Sequence, residues 1–261
     1  MRFPKAIAKS KGFSRIFAFG LMIFSGTGFI NLCTVCAETT DELQGPPVAQ
    51  SHIIGIDPGH QGPNVDMSDL EPLGPGSTEM KAKASTGTQG TFSGLPEYQL
   101  NLDVALKLRD ELEARGYEVY MIRETNDVDI SNAERAQLAA ESGSDILIRI
   151  HANGSDNTSV AGALTMAPST ANPYLSQEMI AECQKLSQCI ITAFCASTGA
   201  NNQGVYQTDE MSGLNWCSIP ATIVEMGYMT NQEEDTRMQT ADYQQQMVTG
   251  IADGIDQYFA S

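Results

Sequence analysis

Three apolar, β-branched runs recur along the chain, and each ends at or near a titratable side chain. The first, residues 53–56, stops at a Pro-Gly turn directly before His60. The second ends in His151, and the third carries Glu225 near its end. Short runs of this kind predict buried strands, and Pro with Gly ends strand pairing. Ligands of open α/β sheets bind at the carboxyl ends of strands, so we expect these three side chains to share a site.

Helical spacing of apolar residues alternates with these runs and with weaker ones. Capping signals, such as Ser131 followed by Glu134 and glycines at 116 and 199, give the helix boundaries. The predicted helices cover 96–115, 131–142, 176–198 and 243–258, and the predicted strands cover 53–57, 118–122, 146–150, 162–166, 204–208 and 221–225. Alternating strands and helices predict a single α/β domain over 52–261, with a mostly parallel central sheet flanked by helices on both faces.

The N-terminal region differs in composition from the rest of the chain. Five basic residues precede an apolar stretch at 16–32, and small residues follow it, which is typical of a signal peptide over residues 1–37. An uncleaved membrane anchor is the alternative, although Ser25 to Gly28 interrupt the apolar stretch. A lipoprotein anchored through Cys33 or Cys36 fits less well. Residues 38–51 are polar and contain prolines, as in a linker.

Charge restricts the classes of partner that the chain can bind. The full sequence carries a formal charge of −17, and removing residues 1–37 takes away five positive and no negative charges, which leaves −22. Such an acidic protein does not bind nucleic acid or an anionic membrane surface through its overall field. We therefore expect no nucleic-acid partner. From the signal peptide pattern we expect a secreted protein with no stable membrane association after signal cleavage, and we further expect a monomer.

The cysteines of the mature chain do not form a disulfide scaffold. Cys183, Cys189 and Cys195 follow one another at steps of six on a predicted helix. At that spacing neighbours lie ~9 Å apart, beyond the ~7 Å between Cα atoms that a disulfide spans. Any intramolecular disulfide must therefore use Cys217. The spacing also argues against a thiolate metal site, which favours close cysteine pairs.

His60 and His151 are the two histidines placed at predicted strand ends, where imidazole is a common metal ligand. A pair of ordinary loop histidines is the simpler alternative. A catalytic zinc site needs about three protein ligands, and the third must then be a carboxylate. Glu97, in the first turn of a predicted helix, competes for that place with Glu71 and Glu79. The two competitors lie in the long glycine-rich segment 61–96, which we expect to form the rim of a cleft.

Glu225 stands among apolar neighbours, where a carboxylate needs a function or a partner. Beside a metal ion it would act as a general base. The alternative is a buried ion pair with Arg149, which is predicted to point to the same face of its strand as His151.

Four segments in order resemble the zinc-dependent type-3 N-acetylmuramoyl-L-alanine amidases, over about residues 52–260. The family's opening strand with Asp-Pro-Gly-His corresponds to the strand before His60, and its helix of the type E-x-x-L-N-L corresponds to EYQLNL at Glu97. Its I-H-A-N segment corresponds to residues 150–153, and its late P-A-x-x-x-E-x-G-(F/Y)-x-(S/T)-N segment corresponds to residues 220–231, with Glu225 in the catalytic place. The resemblance favours Glu97 over Glu79.

The resemblance implies a secreted peptidoglycan hydrolase of the cell wall that cleaves the amide between N-acetylmuramic acid and L-alanine. Zn²⁺ on His60, Glu97 and His151 would activate water, and Glu225 would be the catalytic base. Arg149 departs from the small polar residue that is frequent before Ile-His in the family, and we expect Arg149 and Asn153 to contact the substrate. The alternatives are a zinc peptidase acting within the stem peptide and a non-catalytic wall-binding module.

Overall fold

The structure is a computed structural model that describes residues 51–261. The predicted signal peptide and all but the last residue of the linker lie outside the described residues. The strands are β1 (Ile53–Pro58), β2 (Leu70–Pro72), β3 (Met80–Ala82), β4 (Glu118–Met121), β5 (Ile146–Asn153), β6 (Ala163–Ala167), β7 (Asn202–Gln207) and β8 (Ala221–Tyr228). The helices are α1 (Glu97–Ala114), α2 (Asn132–Glu141), α3 (Gln177–Thr198), α4 (Ser212–Asn215), α5 (Gln232–Met238) and α6 (Ala241–Phe259).

Six strands form the central sheet in the order β4-β1-β5-β8-β6-β7. Neighbouring strands are parallel except β8 and β6, which are antiparallel, so the predicted mostly parallel sheet is confirmed. From β1 the chain first adds β4 on one side and later β5 on the other. The strand order therefore reverses between β1 and β5, which opens a crevice at their carboxyl ends. His60 follows β1, and His151 lies in the last part of β5.

Helices cover both faces of the sheet, as predicted. The larger core cluster joins α1, α3 and α6 to side chains such as Ile148 and Val224, and the smaller one joins α2 and α4 to Leu147 and Ile223. Successive residues of a strand point to opposite faces. Arg149, His151 and Glu225 therefore belong to the face that α2 and α4 cover, near the carboxyl edge of the sheet.

Helix boundaries follow the capping signals of the sequence. Ser131 and Glu134 form the predicted capping box of α2, and Gly199 ends α3 in the left-handed conformation with φ 68°. The first predicted helix begins at Pro96, whereas in the structure Pro96 is the N-cap of α1 and Glu97 is the first helical residue. The carboxylate of Glu97 therefore stands at the start of the helix, where the unpaired backbone N–H groups favour negative charge.

The segment 61–96 is more regular than predicted. Strands β2 and β3 pair antiparallel within it and make a small second sheet. Glu71 fixes this hairpin to the domain, since its carboxylate accepts hydrogen bonds from Ser212 Oγ and from the backbone N–H of Ala133. Trp216 Nε1 also donates to the carbonyl oxygen of Pro72 at 2.9 Å. Strands β2 and β3 have three residues each, which is too short to show the alternation of apolar and polar residues that predicts a strand.

Cys183, Cys189, Cys195 and Cys217 are all free thiols. The sequence permitted one disulfide through Cys217, and the described fold contains none. Between residues 51 and 261, the helices lack the combination of length and apolar character that a membrane span requires.

Candidate active site

Three side chains from distant parts of the sequence meet at the carboxyl edge of β1 and β5. Oε1 of Glu97 lies 3.1 Å from Nε2 of His60 and 3.2 Å from Nδ1 of His151. The two ring nitrogens lie 3.2 Å from each other. The three atoms thus form a nearly equilateral triangle, and the structure brings together all three predicted ligands.

His60 is held in an unusual backbone conformation. Its φ is 64°, and it is the one residue other than glycine with positive φ in the range 51–261. Such conformations persist where surrounding contacts fix them. Arg135 Nη2 donates to the His60 carbonyl oxygen at 3.0 Å, and Arg123 donates to the carbonyl oxygens of Pro58 and Gly59 at 2.7 and 3.0 Å. Two buried arginines therefore fix the turn that presents the histidine.

The free ring nitrogen of each histidine has a distinct environment. Nδ1 of His60 lies 3.0 Å from Oγ and 3.2 Å from the carbonyl oxygen of Ser85. A proton on Nδ1, donated to the carbonyl oxygen, leaves the Nε2 lone pair facing Glu97. Nε2 of His151 is buried and has no hydrogen-bond partner within residues 51–261. It packs against Gly59, where a Cβ atom would lie 2.2 Å away. Only glycine at this position of the Asp-Pro-Gly-His turn leaves room for the His151 ring.

The Glu97 carboxylate is oriented by backbone and side-chain donors. The N–H of Thr88 donates to Oε2 at 2.8 Å, the N–H of Ala152 donates to Oε1 at 3.1 Å, and Asn101 Nδ2 donates to Oε1 at 3.2 Å. Burial raises the pKa of Glu97, but hydrogen bonds to His151 and His60 outweigh burial and hold the pKa far below its ordinary value. Glu97 is therefore ionised.

The donor set fits a divalent transition metal. Burial lowers the pKa of His151 to about 4, against the opposing effect of Glu97, so the imidazole is neutral as a ligand must be. Two imidazoles and one carboxylate are ligands that a catalytic zinc ion takes in proteins. Tetrahedral zinc bonds of about 2.0 Å place ligand atoms about 3.3 Å apart, which is close to the distances within the observed triangle.

Glu225 lies directly beside this cluster. It is paired in register with His151 across β5 and β8, and side chains of paired parallel residues point to the same face. Oε2 is buried without a hydrogen-bond partner among the described residues. Burial raises the pKa of Glu225 to about 8, and the negative charge of Glu97 adds to the shift. Its carboxyl group can therefore gain and lose a proton near neutral pH.

The alternative ion pair between Arg149 and Glu225 is wrong. Arg149 is buried, and its Nε donates to Oδ2 of Asp57 at 2.8 Å. Asp57 also accepts from Arg135 Nη1 at 2.6 Å. Asp57 follows the apolar residues of β1, and its buried carboxylate needs cationic partners. Arg135 of α2 and Arg149 of β5 supply them. Glu225 is left without a counter-charge.

The remaining predicted residues are distributed around the cluster. Asn153 ends β5, and its Oδ1 accepts from the N–H of Gly154 at 2.8 Å. Of the competitors for the third ligand place, Glu71 is bonded to Ser212 and Ala133 and Glu79 is exposed. Neither belongs to the triangle, so the structure separates them from Glu97.

Several residues that fix the site were not identified from the sequence as such. Asn101 stands four residues after Glu97, so helical spacing alone could have placed the two side chains on one face. Ser85, Thr88, Arg123 and Arg135 carry no local signal, because their roles depend on contacts that form only in the folded chain.

Comparison with known proteins agrees with this arrangement. The sequence profile of the Amidase_3 family, described as N-acetylmuramoyl-L-alanine amidase, matches residues 54–257. N-acetylmuramoyl-L-alanine amidase LytC of Bacillus subtilis is 26% identical over 229 residues, which cover 88% of this chain but 39% of LytC. The chain thus spans less than half the length of that relative.

Two mycobacterial amidases are similar over most of their length. N-acetylmuramoyl-L-alanine amidase Rv3717 of Mycobacterium tuberculosis is 24% identical over 212 residues, covering 80% of this chain and 87% of the relative. The crystal structure of the amidase Ami1 from Mycobacterium smegmatis superposes with a TM-score of 0.72 at 25% identity and covers 80% of this chain and 97% of that chain. The chain therefore belongs to the Amidase_3 family of N-acetylmuramoyl-L-alanine amidases.

Proposed function

We propose that the protein is a secreted, zinc-dependent hydrolase that cleaves the amide between N-acetylmuramic acid and L-alanine in peptidoglycan. The observation that carries this proposal is the triangle of His60, Glu97 and His151 beside a buried, unpaired Glu225. A donor triangle alone fits a structural metal, and a lone carboxyl fits many sites. Together they supply the two components that metal-assisted amide hydrolysis needs.

The ligands would hold Zn²⁺, with Ser85 orienting His60 and with Thr88 and Ala152 orienting Glu97. When bound, zinc polarises the amide carbonyl and lowers the pKa of a water molecule. Zinc is preferred over other divalent ions because His₂Glu is a recurrent catalytic zinc ligand set. The hydrogen bonds of Ser85, Thr88 and Ala152 to the ligands support a site that keeps its geometry during turnover.

Glu225 would carry the proton between the two halves of the reaction. Its buried carboxylate accepts a proton from the attacking water and delivers it to the alanine amine as the amide bond breaks. A group whose pKa lies close to the working pH serves in both directions. The absence of a cationic partner for Glu225 within residues 51–261 supports this role, because a carboxylate held by an arginine would be a poor base.

The remaining expectations concern location and partners. Residues 1–37 would direct secretion, and 38–51 would link the signal to the domain that acts on the wall. We expect a monomer that acts on peptidoglycan, binds no nucleic acid and has no stable membrane association. The zinc peptidase and the non-catalytic wall-binding module remain the competing functions.

Digestion of purified peptidoglycan with the zinc-loaded protein separates the three functions. The amidase releases stem peptides with new free alanine N-termini and leaves intact glycan strands, which mass spectrometry identifies. Peptide fragments that keep their link to N-acetylmuramic acid would instead indicate a peptidase. Sedimentation with the wall and no new product would indicate a binding module.

A further inference from the structure

A cavity of about 220 Å³ opens beside the two histidine ligands. The hairpin and the segment after it form one wall, and the N-terminal part of α4 forms another. The lining includes Lys81, Ser85, Asn132, Arg149 and Gly213, together with the rings of His60 and His151. A group bound here lies next to the imidazole rings of both predicted metal ligands.

Arg149 brings an unused donor to this cavity. The side chain is 3% exposed, with Nε bonded to Asp57 and Nη2 bonded to Asn132 Oδ1 at 2.9 Å. Its Nη1 has no hydrogen-bond partner within residues 51–261. A Cβ on residue 213 would lie 1.5 Å from Nη1, so Gly213 leaves the guanidinium group its place at the cavity wall. Because Arg149 lines the cavity, a bound carboxylate could accept a charge-assisted hydrogen bond from Nη1.

Lys81 faces the same cavity from the hairpin. Its Nζ donates to the carbonyl oxygen of Glu210 at 2.6 Å, which fixes the ammonium group near the wall. Burial lowers the pKa of Lys81, the carboxylate of Glu71 opposes the shift, and the charge of Arg149 adds to it. The two cations thus repel each other across the cavity, and an anion between them would relieve that repulsion.

Among residues 51–261, the side chains that line the cavity include two cations, Lys81 and Arg149, and no carboxylate. A cationic pocket in a chain of net charge −17 is a local reversal of the overall field, and such reversals select anionic ligands.

We propose that this cavity binds the carboxylate of the substrate residue that follows L-alanine and that Lys81 and Arg149 are its specificity-determining residues. The inference rests on the proposed amidase function. The glycan strand is uncharged at this point, whereas the second stem-peptide residue, D-glutamate linked through its γ-carboxyl group, offers its α-carboxylate close to the scissile bond. The cavity therefore receives the leaving peptide and fixes the direction in which the substrate lies across the ligands.

The test compares two muramoyl tripeptides that differ only at the second residue, which carries either a free α-carboxylate or its carboxamide. The variant Lys81→Met removes the charge and keeps the length of the side chain. Lys83→Met is the matched control, because Lys83 pairs with Asp69 and Asp129 outside the cavity. Zinc content and melting temperature of each variant are measured alongside kcat/KM.

The wild-type protein is expected to prefer the carboxylate substrate by about 10- to 100-fold in kcat/KM, the worth of one or two charge-assisted hydrogen bonds. Lys81→Met should remove about 10-fold of that preference, mainly through KM, and Lys83→Met should keep it. Equal cleavage of both substrates by the wild type, or equal loss in both variants, would overturn the carboxylate assignment while the amidase function stands. If neither substrate is cleaved and peptidoglycan digestion also gives no alanine N-termini, the proposed function fails and the assignment with it.

Discussion

Arg149 donates a hydrogen bond of 2.8 Å to Asp57, and both side chains are buried. Asp57 stands three residues before His60, and Arg149 stands two residues before His151. The pair therefore connects β1 and β5 directly behind the two histidine ligands. The same aspartate bonds Arg135, which also donates to the His60 carbonyl oxygen. Ligand geometry thus depends on a buried ionic network that touches no ligand side chain.

The substitution Asp57→Asn tests the energetic weight of this network. It leaves Arg135 and Arg149 buried without a counter-charge, and breaking a buried pair in this way costs about 3–5 kcal/mol. Chemical denaturation at neutral pH measures the loss. Asp110→Asn is the control, because Asp110 pairs with Arg109 on the surface, where one ion pair contributes at most about 1 kcal/mol. Equal destabilisation by both changes would contradict the importance of the buried network.

The contribution of Asp57 to stability is expected to depend on pH. Burial raises its pKa, but the charges of Arg135 and Arg149 outweigh burial and hold the pKa well below its ordinary value. The unfolded chain therefore takes up a proton first, and the stabilisation present above about pH 4 is lost as the pH falls. The difference in unfolding free energy between wild type and Asp57→Asn should shrink between pH 5 and pH 3, which denaturation curves at both pH values measure. A constant difference would mean that the charge of Asp57 is not involved.

Gly87 offers a test of crowding at the metal ligands. It has φ +74°, and a Cβ there would lie 2.4 Å from Glu97 Oε2 and 2.6 Å from His60 Cδ2. We expect Gly87→Ala to displace both ligands and weaken zinc binding by about 10- to 100-fold. Gly76→Ala is the control, since Gly76 has φ +76° with no atom within 4 Å of the added carbon. Competition with a fluorescent chelator compares the two affinities, and equal zinc affinity in both variants would place Gly87 outside the ligand environment.

Removing a ligand should remove the metal. We expect His60→Ala and His151→Ala each to lose most bound zinc and all hydrolysis, with the zinc content measured by mass spectrometry of the purified protein. His52→Ala should keep zinc, because His52 stacks on Phe259 with ring centroids 3.8 Å apart, away from the site. One zinc per chain in the double variant of His60 and His151 would contradict the ligand assignment.

The sequence predicted the strand ends well because their signals are local. Apolar β-branched runs, the Pro-Gly turn before His60 and the capping box at Ser131 each depend on a few neighbouring residues. Contacts between residues that are far apart in the sequence could not be predicted in this way. Arg149 was expected to meet the substrate or Glu225, and its bond to Asp57 depends on how β1 and β5 align, which the sequence pattern does not encode.

Short elements were missed for a related reason. The hairpin of β2 and β3 and the helices α4 and α5 are too brief to show a period, and contacts with the rest of the domain stabilise them. Lys81 belongs to that hairpin, so the cationic cavity was not visible in the sequence. The choice of Glu97 as third ligand needed the family resemblance, because spacing alone left Glu71 and Glu79 in competition.

The rate of alanine N-terminus release by Glu225→Gln tests the central claim most directly. Glutamine keeps the size of the side chain and removes its basicity, so the variant should fold and hold one zinc per chain. Hydrolysis of peptidoglycan should then fall by roughly 10²–10⁴-fold, the usual contribution of one positioned acid–base group. A folded, zinc-loaded Glu225→Gln protein that releases alanine N-termini at a near-normal rate would contradict the account.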